Sequence, residues 1–124
     1  MQVSEAESAV MQVLWEASGP LTAEDVVAAL ASRQQWQEAT IKTLLNRLLN
    51  KGAIAATRDG RRYLYSAVLK REAWLLGESE GLIGRLFGGR VAPLVAQFSE
   101  HHKLDTADIA ALRKLLEEID DGHS

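Results

Sequence analysis

Apolar residues return every three or four positions along most of the chain, with one central stretch where they alternate instead. Ala6, Val10, Val13, Leu14 and Ala17 share one face of a first helix, opened by a Ser4–Glu7 capping-box pair and closed by Gly19-Pro20. Thr22 then caps a second helix, with Leu21 placed to staple onto Val26 and with Ala23, Val26, Val27 and Leu30 facing inward. The polar run Ser32 to Gln37 reads as a loop. A third helix follows, in which Ile41, Leu44, Leu45, Leu48 and Leu49 form one continuous apolar stripe and Gly52 supplies the stop.

The alternating stretch predicts a hairpin. Ala53 to Arg58 and Arg61 to Val68 flank Asp59-Gly60, a strong two-residue turn signal. That turn sets Arg58 opposite Arg61, Ala56 opposite Tyr63 and Ile54 opposite Tyr65. Opposed like charges are unfavourable across a hairpin. They make sense where a phosphate backbone lies beside the tip, although both side chains could also splay into water. Three short helices followed at once by a basic-tipped hairpin is the order of a winged helix, whose third helix enters the major groove.

The second half is helical again. Leu69, Ala73, Leu76, Ile83 and Phe87 keep a heptad-like stripe interrupted by Glu80, while Gly77, Gly81 and Gly84 predict bending or fraying towards its end. After Gly88-Gly89, the residues Val91, Leu94, Val95 and Phe98 outline a short helix that tolerates Pro93 in its first turn. Leu104-Asp105 repeats the staple-and-cap pattern before a last helix lined by Ile109, Leu112, Leu116 and Ile119. Three short amphipathic helices separated by glycine bury their stripes poorly alone, so a second copy of the chain is expected to cover them. The expected fold is therefore mainly α with a small β-hairpin. A winged helix-turn-helix spans 1–68 and a helical dimerisation domain spans 69–124.

Charge sharpens this picture. The net charge is −3, yet from Lys42 to Arg62 the bases Lys42, Arg47, Lys51, Arg58, Arg61 and Arg62 stand against Asp59 alone. A local basic stripe on an acidic chain suits a DNA reader. The outer arc of the third helix holds Thr40, Lys42, Thr43, Asn46, Arg47 and Asn50 without an acid. Solvated helix faces usually mix signs, whereas these are the donor types used on phosphates and base edges. A winged helix that binds proteins without reading DNA is the alternative, which this arc disfavours.

Other chemistry is sparse. There is no cysteine, hence no disulfide and no thiol catalysis. No signal segment or bilayer-length apolar run is present, which makes a cytoplasmic protein without membrane insertion the expectation. His101 and His102 are adjacent and point apart, a poor chelating arrangement, and His123 is terminal, so no metal or other cofactor is expected. No phosphate loop, nucleophile elbow or paired-carboxylate motif suggests an enzyme. Trp15 and Trp36 suit packing around the helix-turn-helix better than base stacking.

The chain resembles the penicillinase-repressor family, the BlaI/MecI/CopY group of bacterial repressors. Carrying the resemblance are Glu7-Ser8-Ala9-Val10-Met11, Leu14-Trp15, Trp36, the run from Ala39 to Leu48, Lys51-Gly52 and Tyr63-Leu64-Tyr65. Phe87-Gly88-Gly89, Leu94 to Phe98 and Ile109 to Arg113 extend it. The resemblance implies a homodimeric repressor on an inverted-repeat operator of double-stranded DNA, controlling a resistance or stress-response gene. It implies Thr40, Lys42, Thr43 and Arg47 on the recognition helix, with Arg61 and Arg62 on the wing. It further implies inactivation through a membrane sensor metalloprotease pathway, with cleavage in the dimerisation domain at Gln97–Phe98. The best-known members carry asparagine where this chain has Gln97. The copper branch's C-terminal cysteine cluster has no counterpart here. From the apolar stripes and this resemblance together, the expected dimer contacts are Leu76, Ile83, Phe87, Val91, Leu94, Val95, Phe98, Ile109, Leu112 and Leu116.

Overall fold

The structure, a computed structural model, describes residues 1–122. The chain runs α1 (Glu5–Glu16), α2 (Ala23–Ala31), α3 (Glu38–Lys51), β1 (Ile54–Asp59), β2 (Arg62–Ala67), α4 (Arg71–Phe87), α5 (Val91–Glu100) and α6 (Thr106–Gly122). It divides into two compact units, Met1–Leu75 and the residues from Leu76 onward.

In the first unit, three helices close around one core. Val10, Met11, Val13 and Leu14 from α1 meet Val26 and Leu30 from α2 and Ile41, Leu44, Leu45 and Leu48 from α3, with Ala53 and Ile54 beneath. Fully burying each large aliphatic side chain contributes about 1.5–3 kcal/mol, so the periodic stripes dictate how these helices face. Met11 joins the core although the predicted stripe of α1 passes over it. Reciprocal capping boxes start α1 at Ser4 and Glu7 and α2 at Thr22 and Asp25. At the end of α3, Gly52 takes φ +78°, and the Ala53 N–H donates to the Leu48 carbonyl at 3.0 Å, a Schellman closure that turns the chain into β1.

The wing pairs in a different register from the one the turn signal predicts. Arg58 lies opposite Tyr63, Ala56 opposite Tyr65 and Asp59 opposite Arg62, so Arg58 and Arg61 do not face each other. The turn is Gly60-Arg61, with Gly60 at φ +65° and Arg61 not in the left-handed region, as a type II′ turn requires. A slip of two residues keeps every side chain on its original face, so alternation cannot choose between the registers. A further contact lies on the other edge of β2. Leu21 brackets Tyr65 with two backbone hydrogen bonds, 2.7 and 3.0 Å, as a one-residue third strand.

α4 continues unbroken through Gly77, Gly81 and Gly84 to Phe87, without the expected fraying. Pro93 sits in the first turn of α5, where its missing N–H has no intrahelical partner to lose. The Asp105 carboxylate accepts from the Asp108 N–H at 2.7 Å and caps α6. No residue from Leu76 to Gly122 is buried.

Candidate nucleic-acid interface

The buried stripe of α3 fixes what its other side presents. Thr40, Lys42, Thr43, Asn46 and Arg47 are all exposed, as are Arg58, Arg61 and Arg62 on the wing. The helix starts at Glu38, directly after the loop read from the sequence, and this corrects one expectation: the outer face is not free of acid. Glu38 lies in the first turn and pairs with Lys42 one turn later at 3.5 Å. Thr43 donates its hydroxyl hydrogen to the Ala39 carbonyl at 3.0 Å, which leaves its lone pairs and methyl for a ligand. On the wing, Arg62 pairs with Asp59 at 3.3 Å and the Arg58 Nε donates to the Gly60 carbonyl at 3.1 Å. Among the described residues, Arg47 and Arg61 form no ion pair.

Lys42, at the start of α3, and Arg61 and Arg62, at the wing tip, line a common cleft of about 240 Å³ with Tyr63, Tyr65 and Glu24. The fold therefore gathers bases that lie about twenty residues apart in the chain. Thr40, Thr43, Asn46, Arg47 and Arg58 do not line that cleft. Tyr63 and Tyr65 belong to the wing-strand motif that carries the resemblance, whereas nothing in the sequence marks Glu24 for this cleft. The tyrosines lie on β2 and Glu24 in the first turn of α2.

Lys51 leaves the basic stripe. Its Nζ lies 2.5 Å from the Glu7 Oε1 and 2.9 Å from the Gln2 carbonyl. Glu7 is 2% exposed. Burial pushes its carboxyl up, but the hydrogen bonds from Lys51 and Ser4 outweigh that and hold it below the usual carboxylate range. The capping-box spacing locates Glu7, whereas nothing in the sequence pairs it with a lysine forty-four positions on.

The three tryptophans pack. Trp15 and Trp36 lie against the core, and the Trp15 indole donates to the Leu69 carbonyl at 2.8 Å. Trp74 tilts against Trp15 with ring centroids 5.3 Å apart. Leu69 and Trp74 thereby group with the first unit.

In the second unit, the expected dimer contacts are open to solvent. Leu76 and Leu116 are each 61% exposed, Phe98 is 46% exposed, and Val91 and Ile109 are also exposed, while Ile83, Phe87, Leu94, Val95 and Leu112 are half-buried. Leu94, Val95, Phe98, Leu104, Leu112 and Leu115 border an apolar groove of about 380 Å³ between α5 and α6. Gln97 and Phe98 lie inside α5, before its last turn ends. His102 adopts φ +56° directly after α5, and the Lys103 N–H donates to the Phe98 carbonyl at 2.8 Å. His102 thus fills the left-handed position of a helix stop. Among the described residues, no group of three histidine, aspartate or glutamate side chains is placed to hold a metal. His123 lies outside the described residues. No helix among them is long and apolar enough to cross a membrane.

The penicillinase repressor family model matches residues 3–118. The penicillinase repressor of Bacillus licheniformis is 31% identical over 94% of this chain and 91% of its own length. The transcriptional regulator BlaI of Mycobacterium tuberculosis is 34% identical over 98% of this chain and 88% of its own. The solution structure of the monomeric form of B. licheniformis BlaI, in complex with the blaP half-operator, is similar with a TM-score of 0.52. It is 33% identical and covers 58% of this chain and 87% of that one.

Proposed function

The chain belongs to the penicillinase repressor family, transcriptional repressors rather than enzymes, and from that premise we propose that it is a winged-helix repressor that binds operator DNA as a homodimer. The observation carrying the DNA reading is the split of α3. Its leucine stripe is buried, while Thr40, Thr43, Asn46 and Arg47 stand outward beside a wing tipped by Arg61. Thr43, Asn46 and Arg47 are suited to base edges in the major groove. Lys42, Arg58, Arg61 and Arg62 are suited to the flanking phosphates, as point charges or forks.

The homodimer rests on the tail. A unit without a buried residue from Leu76 to Gly122 gains little from folding alone. Its exposed leucines, isoleucines and phenylalanine supply what an obligate partner would cover. A two-fold dimer reads an inverted repeat with half-sites one or two helical turns apart. The regulated gene is proposed to serve resistance or a stress response. The switch is proposed to be proteolysis at Gln97–Phe98, fed by a membrane sensor metalloprotease. That bond lies within α5, and a protease takes its substrate extended, so cleavage requires the end of α5 to open first.

The direct test combines selection of duplexes from a random pool by the full chain with sedimentation of the protein alone. Enrichment of a palindrome bound with a steep inverse dependence on salt, together with a dimer mass, is the expected result. Enrichment of no sequence would refute the repressor reading, and a monomer mass at micromolar concentration would refute the dimer.

A further inference from the structure

We infer that the Glu7–Lys51 pair is a positioning latch for the recognition helix, so that Lys51, a base inside the DNA-reading window, serves sequence selectivity without touching DNA. This rests on the repressor reading above.

The start of α1 and the end of α3 meet at one carboxylate oxygen. The Glu7 Oε1 accepts from the Ser4 N–H at 2.9 Å and from the Lys51 Nζ at 2.5 Å. The same Nζ donates to the Gln2 carbonyl at 2.9 Å. Ser4 is the cap of α1, and Gln2 lies in the segment before it. Lys51 is the last residue of α3, directly before the left-handed Gly52. The hairpin starts two residues later, at the buried Ala53 and Ile54. The latch therefore ties the joint between recognition helix and wing to the start of α1.

The pair is lopsided in a telling way. Glu7 is 2% exposed, whereas the Lys51 side chain is 37% exposed. The other Glu7 oxygen, Oε2, is buried without a hydrogen-bond partner. Well-packed apolar residues of similar volume often match or exceed a buried ion pair in stability, so an imperfectly satisfied one is weak support for folding alone. The best-attested service of such pairs is to fix register, because their geometry has one good solution while apolar contacts slide. Here the alternatives are small rotations or shifts of α3 on its leucine stripe. Because the outward side chains ride on the same helix, even a small shift would move Thr43, Asn46 and Arg47 together away from the base edges.

The test uses the full chain, the duplex it enriches from a random pool, and a scrambled duplex of equal length. Lys51→Met removes the cation. Glu7→Gln keeps the carboxylate's shape and an oxygen acceptor but removes its charge. Folding is checked by far-ultraviolet circular dichroism. The expected result for a folded variant is at least a tenfold loss of affinity for the enriched duplex. Affinity for the scrambled duplex and the slope of log K against log salt should stay unchanged. A phosphate contact behaves oppositely: both duplexes weaken alike and the slope falls by about one. That outcome overturns the latch, as do full selectivity in folded variants and failure of both variants to fold, which would make the pair a core element only. If the parent chain itself enriches no sequence, the repressor reading falls first and the latch with it. Loss of the latch alone is read from variants that stay selective beside a selective parent.

Discussion

At the scale of single residues, burial and hydrogen bonding give Glu7 a sign that can be tested with acid. Its carboxyl titrates below the usual carboxylate range in the folded chain. A depressed folded value means the charged form is favoured by folding. The contribution is present above the ordinary value near 4.5 and is lost as the pH falls through the lower folded value. The gap in thermal midpoint between the parent and Glu7→Gln should therefore be widest near neutrality and close in the acid limb. A gap independent of pH down to full protonation would contradict it. Glu16 and Asp25 are also lowered, by Arg33 and by the Thr22 cap respectively, so some acid sensitivity should survive in the variant. On the proposed reading face, Arg47→Ala should weaken the enriched duplex by about 1–3 kcal/mol while the protein stays folded. Thr43→Val, which keeps the methyl and loses the hydroxyl bonded to Ala39, isolates that oxygen's share. Titration of both variants against enriched and scrambled duplexes checks the pair.

At the scale of elements, two glycines with open space around them should respond in opposite directions. A Cβ at Gly52 or at Gly81 would meet nothing within 4 Å. Gly52 has φ +78°, where an L side chain is strained, so Gly52→Ala should destabilise by about 1–2 kcal/mol. Gly81 lies inside the continuous helix α4, off the stripe of Leu76, Ile83 and Phe87, so Gly81→Ala should stabilise by about 0.5–1 kcal/mol. Denaturant unfolding of the two variants gives both signs. The wing illustrates how local and distant information divide. Its strands and its turn region are legible in alternation and in Asp59-Gly60. The register is not, because two-residue slips are equivalent for the pattern, and the Leu21–Tyr65 bridge comes from a segment more than forty residues away.

At the scale of the whole molecule, the place to cut the first unit is given by two tryptophans. Residues 1–75 keep the Leu69 carbonyl that accepts from Trp15 and the Trp74 ring that tilts against it. Residues 1–68 lose both. The longer fragment should unfold at a higher temperature, since an aromatic pair alone is worth about 0.5–1.5 kcal/mol. Both fragments should sediment as monomers and bind the enriched duplex more weakly than the full chain, because the proposed dimer links two half-site contacts into one event. A tight dimer from residues 1–75 would move the proposed interface out of the tail. The proposed proteolytic switch has its own check, the mass of the repressor recovered from induced cells. A fragment ending at Gln97 is expected. A full-length chain while the target gene is active would exclude cleavage as the signal.

The sequence by itself determined the helices, most of the inward faces of the first three, the caps at Ser4, Thr22 and Asp105 and the winged-helix order. Each of these follows from periodicity or from interactions within a few residues. It also marked Arg47 and Thr43 as outward-facing, since a leucine stripe on one side of α3 leaves the other side no choice. Tertiary structure decided the fate of Lys51, which is drawn to Glu7 forty-four positions away. Lys42 and Glu38, and Arg62 and Asp59, pair within three or four positions, whereas Arg47 and Arg61 form no ion pair among the described residues. The reason is that charge is read along the chain as a sum, while pairing depends on distances. The Lys51–Glu7 distance is set by how α1 packs on α3, and the wing's by a hairpin register that alternation alone does not choose.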